Sequence, residues 1–351
     1  MELIDCIHRI PSVLKNIAGS QHEVFNQLQN AIDLKSIDEV VFIGSGSSMN
    51  AAKVTRYFAH KICKLNSQYF YPNEMKNYLF YENPKALYVF VSQGGETKLV
   101  FDNLQEVKRR ELFNVSLTES LNSDIARTAS VALSMQCGHE EYLYRTIGYS
   151  ATVAMCMQIE MAVAIANGNL KQENVEEICK DLEMAAGNLP EIWNKTEDWY
   201  LRNRFDLLRG ETYILAGAGY LHETANEADI KLMEMLPAMS RSFELEELIH
   251  GPQNAFRESM VFFLLADKKH DIDKVNSIDD FLNQEIGFSA RIGDVAGRPH
   301  DLTIEYRSCN YRMLESVTVF QLLAYYMSKD KGRDLNRRIN SSIDQYIRKT
   351  L

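Results

Sequence analysis

Val89-Phe-Val-Ser-Gln-Gly-Gly-Glu-Thr97 decides the fold. Lys85-Ala-Leu-Tyr precedes it and Lys98-Leu-Val-Phe-Asp-Asn-Leu follows. An apolar, β-rich run stops abruptly at small and hydroxyl residues, and Leu99, Val100 and Leu104 then recur at helical spacing. This pattern is a buried strand, a tight glycine turn and a helix N-terminus. Unpaired N–H groups at such a terminus attract an anion, and the helix dipole adds to the attraction. Ser92, Gln93 and Thr97 bring side-chain donors to the same point, so the turn reads as a phosphate cradle. An ordinary strand-to-helix turn capped by Ser and Thr would carry the same residues.

Upstream, Glu39-Val-Val-Phe-Ile-Gly-Ser-Gly-Ser-Ser-Met-Asn repeats the strand, glycine loop and helix order, as in an α/β nucleotide-binding-like unit. Met49 stands where G-x-G-x-x-G needs its third glycine, and no acidic residue ends an evident second strand about 20 residues on, so a dinucleotide is disfavoured. Ser47 and Ser48 instead add hydroxyls at another helix start. Downstream, Phe113–Thr118 and Ser130–Met135 read as strands, and a long apolar helix covers about Ile147–Asn167.

The second half repeats the first. Thr212-Tyr-Ile-Leu-Ala-Gly-Ala-Gly echoes Val40-Val-Phe-Ile-Gly-Ser-Gly-Ser, and Met260-Val-Phe-Phe-Leu-Leu-Ala follows at nearly the interval that separates Gly46 from Ser92. The spacing implies duplicated α/β domains. Where the first copy has Ser92-Gln-Gly-Gly-Glu-Thr, the second has Ala266-Asp-Lys-Lys-His-Asp, so one phosphate site per chain is expected. The boundaries read as helices over 1–34 (broken at Pro11 and near Gly19-Ser20), a first domain over 35–168, a helical connection over 169–196 with its helix ending near Pro190, a second domain over 197–330 and a tail over 331–351.

Composition restricts the function classes. Apolar residues make up 46% and charged residues 25% of the 351, as in globular proteins. A formal net charge of −10 disfavours a general nucleic-acid binder. No apolar run reaches about 18–20 residues, so no membrane span is expected. The N-terminus is acidic where a signal peptide is basic, and a cytoplasmic protein is expected. The six cysteines are scattered without Cys-x-x-Cys or zinc spacing and read as reduced thiols; no metal and no organic cofactor is expected.

Candidate chemistry lies in the second half. Glu227, Lys231 and Glu234 fall on one helical face, with Ala225, Ala228, Leu232 and Met235 on another. A solvated face with one i,i+4 ion pair would look the same. His250, in Glu246-Glu-Leu-Ile-His-Gly-Pro, sits at a backbone break, since Gly251 loosens the chain and Pro252 lacks a donor. A satisfied turn histidine is the alternative.

Four motifs in this order and register, Gly46-Ser-Ser-Met-Asn, Ser92-Gln-Gly-Gly-Glu-Thr, Glu227-x₃-Lys-x₂-Glu and Glu-Leu-Ile-His250-Gly-Pro, resemble the double sugar-isomerase (SIS) domain family over nearly the whole chain. That family includes the isomerase half of glutamine–fructose-6-phosphate transaminase, fructosamine-6-phosphate deglycases and glucosamine-6-phosphate deaminases. The resemblance implies two SIS domains, each a flavodoxin-like parallel sheet flanked by helices. It assigns Ser48, Ser92, Gln93 and Thr97 to the sugar phosphate, with Ser47 and Gly94 in the same site. Glu234 matches the carboxylate that moves a proton between C1 and C2. His250 matches the ring-opening histidine, which the neighbouring subunit contributes in a shared-site homodimer. Glu227 and Lys231 match charged residues of the same helix.

Two departures matter. Gly94 replaces the family's second serine, removing one hydroxyl. Ile343 falls about where the transaminase has its Schiff-base lysine, and Lys349 is off register. Residue 2 is Glu2 rather than a terminal cysteine nucleophile, so no glutaminase activity is expected. A single carboxylate over C1 and C2 can remove and return a proton, and burial in a cleft is expected to raise its pKa. The implied activity is a phosphosugar enzyme, foremost a deglycase of 6-phosphorylated fructosamines, because such a substrate brings its own amine nitrogen. Glucosamine-6-phosphate deamination with isomerisation is the runner-up, and a non-catalytic sugar-phosphate sensor is the alternative of another class. Glu140, Glu141 and Arg145 either read a charged aglycone or are solvated.

Overall fold

The computed structural model describes every residue except Met1, Leu79, Phe80 and Ala296. The chain divides into two compact units. The first comprises Ser12–Glu141, Ile147–Glu183 and Arg337–Leu351, and the second Met1–Pro11, Tyr142–Thr146 and Met184–Asn336. Helices α1 (Leu3–Gly19) and α2 (Gln21–Gln29) lead into β1 (Glu39–Gly44), α3 (Ser47–Lys53), α4 (Arg56–Lys61), β2 (Asn66–Phe70) and β3 (Ala86–Val91). Then come α5 (Lys98–Arg109), β4 (Asn114–Thr118), α6 (Asp124–Thr128), β5 (Val131–Ser134) and α7 (Ile147–Ala166). The long α8 (Gln172–Arg209) precedes β6 (Thr212–Gly217), α9 (Tyr220–Met235), β7 (Met239–Glu244), β8 (Met260–Asp267), α10 (Ile272–Phe281), β9 (Ser289–Asp294), β10 (Leu302–Thr303) and α11 (Arg312–Asp330).

The first unit holds a parallel sheet in the order β2-β1-β3-β4-β5. Every residue of β1 and β3 is buried, as central strands covered on both faces require. Val41, Ile43, Tyr88 and Phe90 pack with Val100, Leu104 and Val107, the apolar stripe of α5. The chain leaves β1 toward β2 on one side and β3 toward β4 on the other. The crevice at the carboxyl ends of β1 and β3 is therefore the topological switch point, where ligands of such sheets bind. The second unit repeats this design as β10-β9-β8-β6-β7, with its switch point between β6 and β8. The expected duplication is thus present at the level of strand order.

Three expectations need correction. Helix α1 runs unbroken through Pro11 and α8 through Pro190. A mid-helix proline loses one hydrogen bond and costs about 3 kcal/mol. Ile7, Ile10, Leu14 and Ile17 around the first, and Leu189 and Ile192 around the second, are all buried, and that burial outweighs the loss. An apolar segment long enough to cross a membrane does exist: α7 passes by length and composition. Its side chains are spent inside the protein, with 89% of the most apolar window buried.

Helix α7 also carries Glu160 into the core. One carboxyl oxygen accepts from the Thr55 hydroxyl at 2.7 Å, and the other has no partner among the described residues. Burial pushes this acid well above the ordinary carboxylate range, and the Thr55 bond only partly opposes it. The folded state therefore binds a proton that the unfolded state releases above about pH 4.5. Stability from this group is unaffected below that pH and falls as pH rises toward the folded pKa. Glu160→Gln removes the dependence. The stability gap between variant and native chain should widen by about 1.4 kcal/mol per pH unit in that window, measured by denaturant unfolding at pH 4, 6 and 8. A gap that stays constant would show that Glu160 ionises freely.

Candidate active site

The strands flanking the first switch point build a candidate anion site. Gly44 of β1 lies opposite Val91 of β3, so both following loops leave the sheet at one level. A Cβ on Gly44 would stand 3.2 Å from the Val91 carbonyl oxygen and 3.4 Å from the Ser48 Cβ. That close approach sets Ser48, at the start of α3, against the end of β3. Ser47 and Ser48 are both half-buried there. After β3, Gly95 has φ +66°, and a Cβ on it would overlap the Ser123 hydroxyl at 2.1 Å. The Gly95 amide donates to the Ser92 carbonyl at 3.0 Å and closes the turn. The Ser92 and Thr97 hydroxyls share a hydrogen bond of 2.9 Å. Among the described residues, the amides of Gly94, Glu96 and Thr97 have no acceptor. With the N-terminus of α5 behind them, these donors form a concavity suited to a phosphate group.

Gln93 departs from its expected part. Its amide nitrogen donates to Glu119 at 3.1 Å and to Glu140 at 3.0 Å. A Cβ on Gly148 would lie 1.9 Å from the Gln93 carbonyl oxygen, so the amide is seated against the first turn of α7. The side chain is thus an anchor of the turn rather than a donor into it. Glu140 is buried and accepts from the Ile147 and Gly148 amides at 3.2 and 3.3 Å, capping α7. It is neither solvated nor turned outward to read an aglycone. Sequence reasoning missed Glu119 and did not foresee that it joins Glu140 in holding Gln93. The only signal was an acidic residue directly after a strand, Thr118-Glu119, which in a parallel sheet points to the ligand-bearing edge.

The second switch point holds its own anion. Asp267, at the end of β8, is buried. It accepts from the Tyr220 hydroxyl at 3.0 Å and the Lys269 amide at 2.9 Å, and it pairs with Arg312. Burial alone would raise this carboxyl, but the Lys269 amide, Tyr220 and Arg312 outweigh it and hold the group below its usual range. A fixed carboxylate thus occupies the place that a phosphate would take in the first copy. This is the physical form of the sequence difference Ser92-Gln-Gly-Gly against Ala266-Asp-Lys-Lys.

Helix α9 carries the charged triplet. Lys231 is fully buried, 2.6 Å from Glu234 and 3.4 Å from the equally buried Glu227. Glu234 is the reachable member, with 38% of its side chain exposed. The solvated-face alternative is therefore excluded for Glu227 and Lys231. The burial expected of Glu234 is not present in the single chain: its carboxylate faces solvent on one side and a buried ammonium on the other. His250 follows a short 3₁₀ turn over Glu247–Ile249, and Gly251 at φ +126° and Pro252 end it. Its ring is 61% exposed and shares a 3.0 Å bond with Glu246, which also pairs with Lys274. Lys274 first, and His250 second, hold Glu246 below the ordinary carboxylate range.

The hydroxyl-lined turn at a β1/β3 switch point lies in the segment that matches a known domain model. Residues 33–165 match the SIS domain. This segment is a SIS domain. The whole chain is 23% identical over 350 residues to the isomerizing glutamine–fructose-6-phosphate aminotransferase of Clostridium tetani, covering 95% of this chain and 57% of that protein. It thus spans little more than half of the curated relatives it matches. A candidate phosphosugar isomerase of Clostridium difficile 630 shares the fold at TM-score 0.90 and 21% identity, over 99% of this chain and 98% of the other. The glucosamine-6-phosphate deaminase of Thermotoga maritima does so at TM-score 0.72 and 19% identity, over 93% and 97%. At these identities the likeness speaks for the fold. That fold covers both sheets, and the two units share one strand order.

Proposed function

We propose that this protein is a phosphosugar enzyme that moves a proton between C1 and C2 of a hexose 6-phosphate derivative. The observation that carries the reading is the pairing of one solvent-reachable carboxylate, Glu234, with a fully buried ammonium, Lys231, in a chain whose SIS domain has a hydroxyl-lined turn suited to an anion. The phosphate docks on the hydroxyls of Ser48, Ser92 and Thr97 and the turn amides, far from the reacting carbons, and fixes the orientation of the sugar. Glu234 removes the proton at one carbon and returns it to the next. His250, whose exposed ring shares one nitrogen with the surface carboxylate of Glu246, transfers the ring-oxygen proton. It does so across a subunit boundary in a homodimer.

Within this class the preferred substrate is a 6-phosphorylated fructosamine. Glu234 takes the C1 proton of the open ketoamine and delivers it to C2, while the amine N–H proton passes to O2, through an enaminol. The C1–N bond becomes an imine, water adds to C1, and the amine leaves with the proton, giving an aldose 6-phosphate. Ile343 where a Schiff-base lysine would fall favours a substrate that supplies its own nitrogen. The deaminase fold-relative supports glucosamine 6-phosphate as the second substrate class. Incubation with fructoselysine 6-phosphate and related adducts should release glucose 6-phosphate and free amine in equal amounts. No release from any adduct, with fructose 6-phosphate and ammonia formed from glucosamine 6-phosphate, would replace the deglycase reading by the deaminase one. Tight binding of all of them without solvent exchange at C1 or C2 would make the protein a sensor.

A further inference from the structure

The C-terminal segment lies along the phosphate turn. Arg337–Leu351 belongs to the same compact unit as the turn. The Lys98 amide donates to the Lys349 carbonyl at 2.9 Å, and the Leu351 amide donates to the Glu96 carbonyl at 3.0 Å. Thr97 and Thr350 are thereby opposite each other in an antiparallel bridge. The bonds run through the flanking residues, which makes Thr97 and Thr350 a non-hydrogen-bonded pair. In such a pair the Cα atoms approach to about 4.5 Å and the two side chains stand side by side on one face.

That face is the cradle, because the Thr97 hydroxyl is the one bonded to Ser92. Thr350 is exposed, and its hydroxyl has no partner among the described residues. Within the segment Asp344 pairs with Arg338 at 2.7 Å and with Lys349 at 3.4 Å, and the two backbone bonds at Glu96 and Lys98 tie it to the turn. The turn meanwhile has a gap of its own. Gly94 offers no hydroxyl, and a Cβ there would meet no atom within 4 Å.

We propose that Thr350 is a phosphate-binding residue: the C-terminal segment adds its hydroxyl to those of Ser92 and Thr97 and replaces the one absent at Gly94. The ligand class is a phosphate monoester. The inference rests on the reading of the Ser92–Thr97 turn as the sugar-phosphate site. It makes docking of the C-terminal segment and binding of the phosphate mutually supporting, since the segment that caps the Lys98 amide also completes the donor set.

Titration calorimetry of the full chain with fructose 6-phosphate tests it. Thr350→Val keeps the shape and the strand preference and should weaken binding about tenfold, the usual loss for one hydrogen bond to a charged group. Thr350→Ser keeps the hydroxyl and should bind within about twofold of the native chain. Adding Gly94→Ser to Thr350→Val should recover most of the loss, because the new side chain enters open space on the turn. Equal affinity of the native and Val chains overturns the proposal alone, as does a Ser chain as weak as the Val chain or a double variant that regains nothing. Failure of the native chain to bind any hexose 6-phosphate overturns it together with the reading beneath it.

Discussion

Glu234→Gln should leave hexose 6-phosphate binding within a few-fold of native and reduce turnover by about 10²–10⁴, the usual contribution of one positioned proton-transfer group. Glutamine is isosteric and still accepts from the Lys231 ammonium 2.6 Å away, so the helix and its buried pair persist. What disappears is a base able to take a proton from carbon. Exchange of the C1 or C2 proton with deuterated solvent, followed by NMR, should therefore vanish with turnover rather than survive it. A variant that exchanges at the native rate would remove Glu234 from the chemistry and leave the buried Lys231–Glu227 pair as a structural ion pair only. A fall in affinity with unchanged turnover would instead give Glu234 a binding role.

The central strands were legible because they are uniformly apolar. Val40-Val-Phe-Ile, Ala86–Val91 and Phe262–Ala266 are covered on both faces, and an unbroken apolar run ending in glycine or serine has few other readings. Two of the edge strands, β2 and β7, were not legible. β2 and β7 keep exposed positions along their length, and neither Asn66-Ser-Gln-Tyr-Phe nor Met239-Ser-Arg-Ser-Phe-Glu carries an apolar signal. β9 is buried but contains Arg291, whose guanidinium is balanced by Asp301 within the core. A charged residue in a buried strand is readable only once its partner, ten positions away, is known.

The spacing of the candidate side chains was legible in the sequence, and what surrounds and supports them was not. Spacing put Glu227, Lys231 and Glu234 on one face but could not tell a solvated stripe from a buried one. That distinction depends on α11 and on the sheet that covers α9. The Gln93 anchor is built from residues of three separate segments, Glu119, Glu140 and Gly148, and no local pattern links them. The C-terminal bridge at Thr350 is likewise invisible in sequence, since Arg348-Lys-Thr-Leu has no alternation to mark it and acquires its partner only by folding. The duplicated copies show the complementary lesson. Where the first copy has Ser92-Gln, the second has Ala266-Asp, and the buried Asp267 carboxylate, satisfied by Tyr220 and the Lys269 amide, stands at the corresponding strand end.

Lys231→Met should destabilise the protein by about 3–5 kcal/mol, the cost of removing one partner from a buried ion pair. Methionine has the length and helix preference of lysine and no polar atom that would demand solvent. The helix and its packing should thus be retained, and the effect isolates the charge. Glu227 has no exposed surface and lies 3.4 Å from the ammonium, whereas Glu234 can turn its carboxylate to water. The penalty therefore falls on Glu227. Replacing both, as Lys231→Met with Glu227→Gln, should return most of the loss, because a neutral amide does not need the cation. Adding Glu234→Gln to Lys231→Met should return little. Urea unfolding of the four chains measures these differences directly. If the Glu234 double variant recovered and the Glu227 one did not, the lysine would serve to hold the reactive carboxylate rather than to neutralise a buried one. The stability of α9 would then be coupled to the proton-transfer group itself.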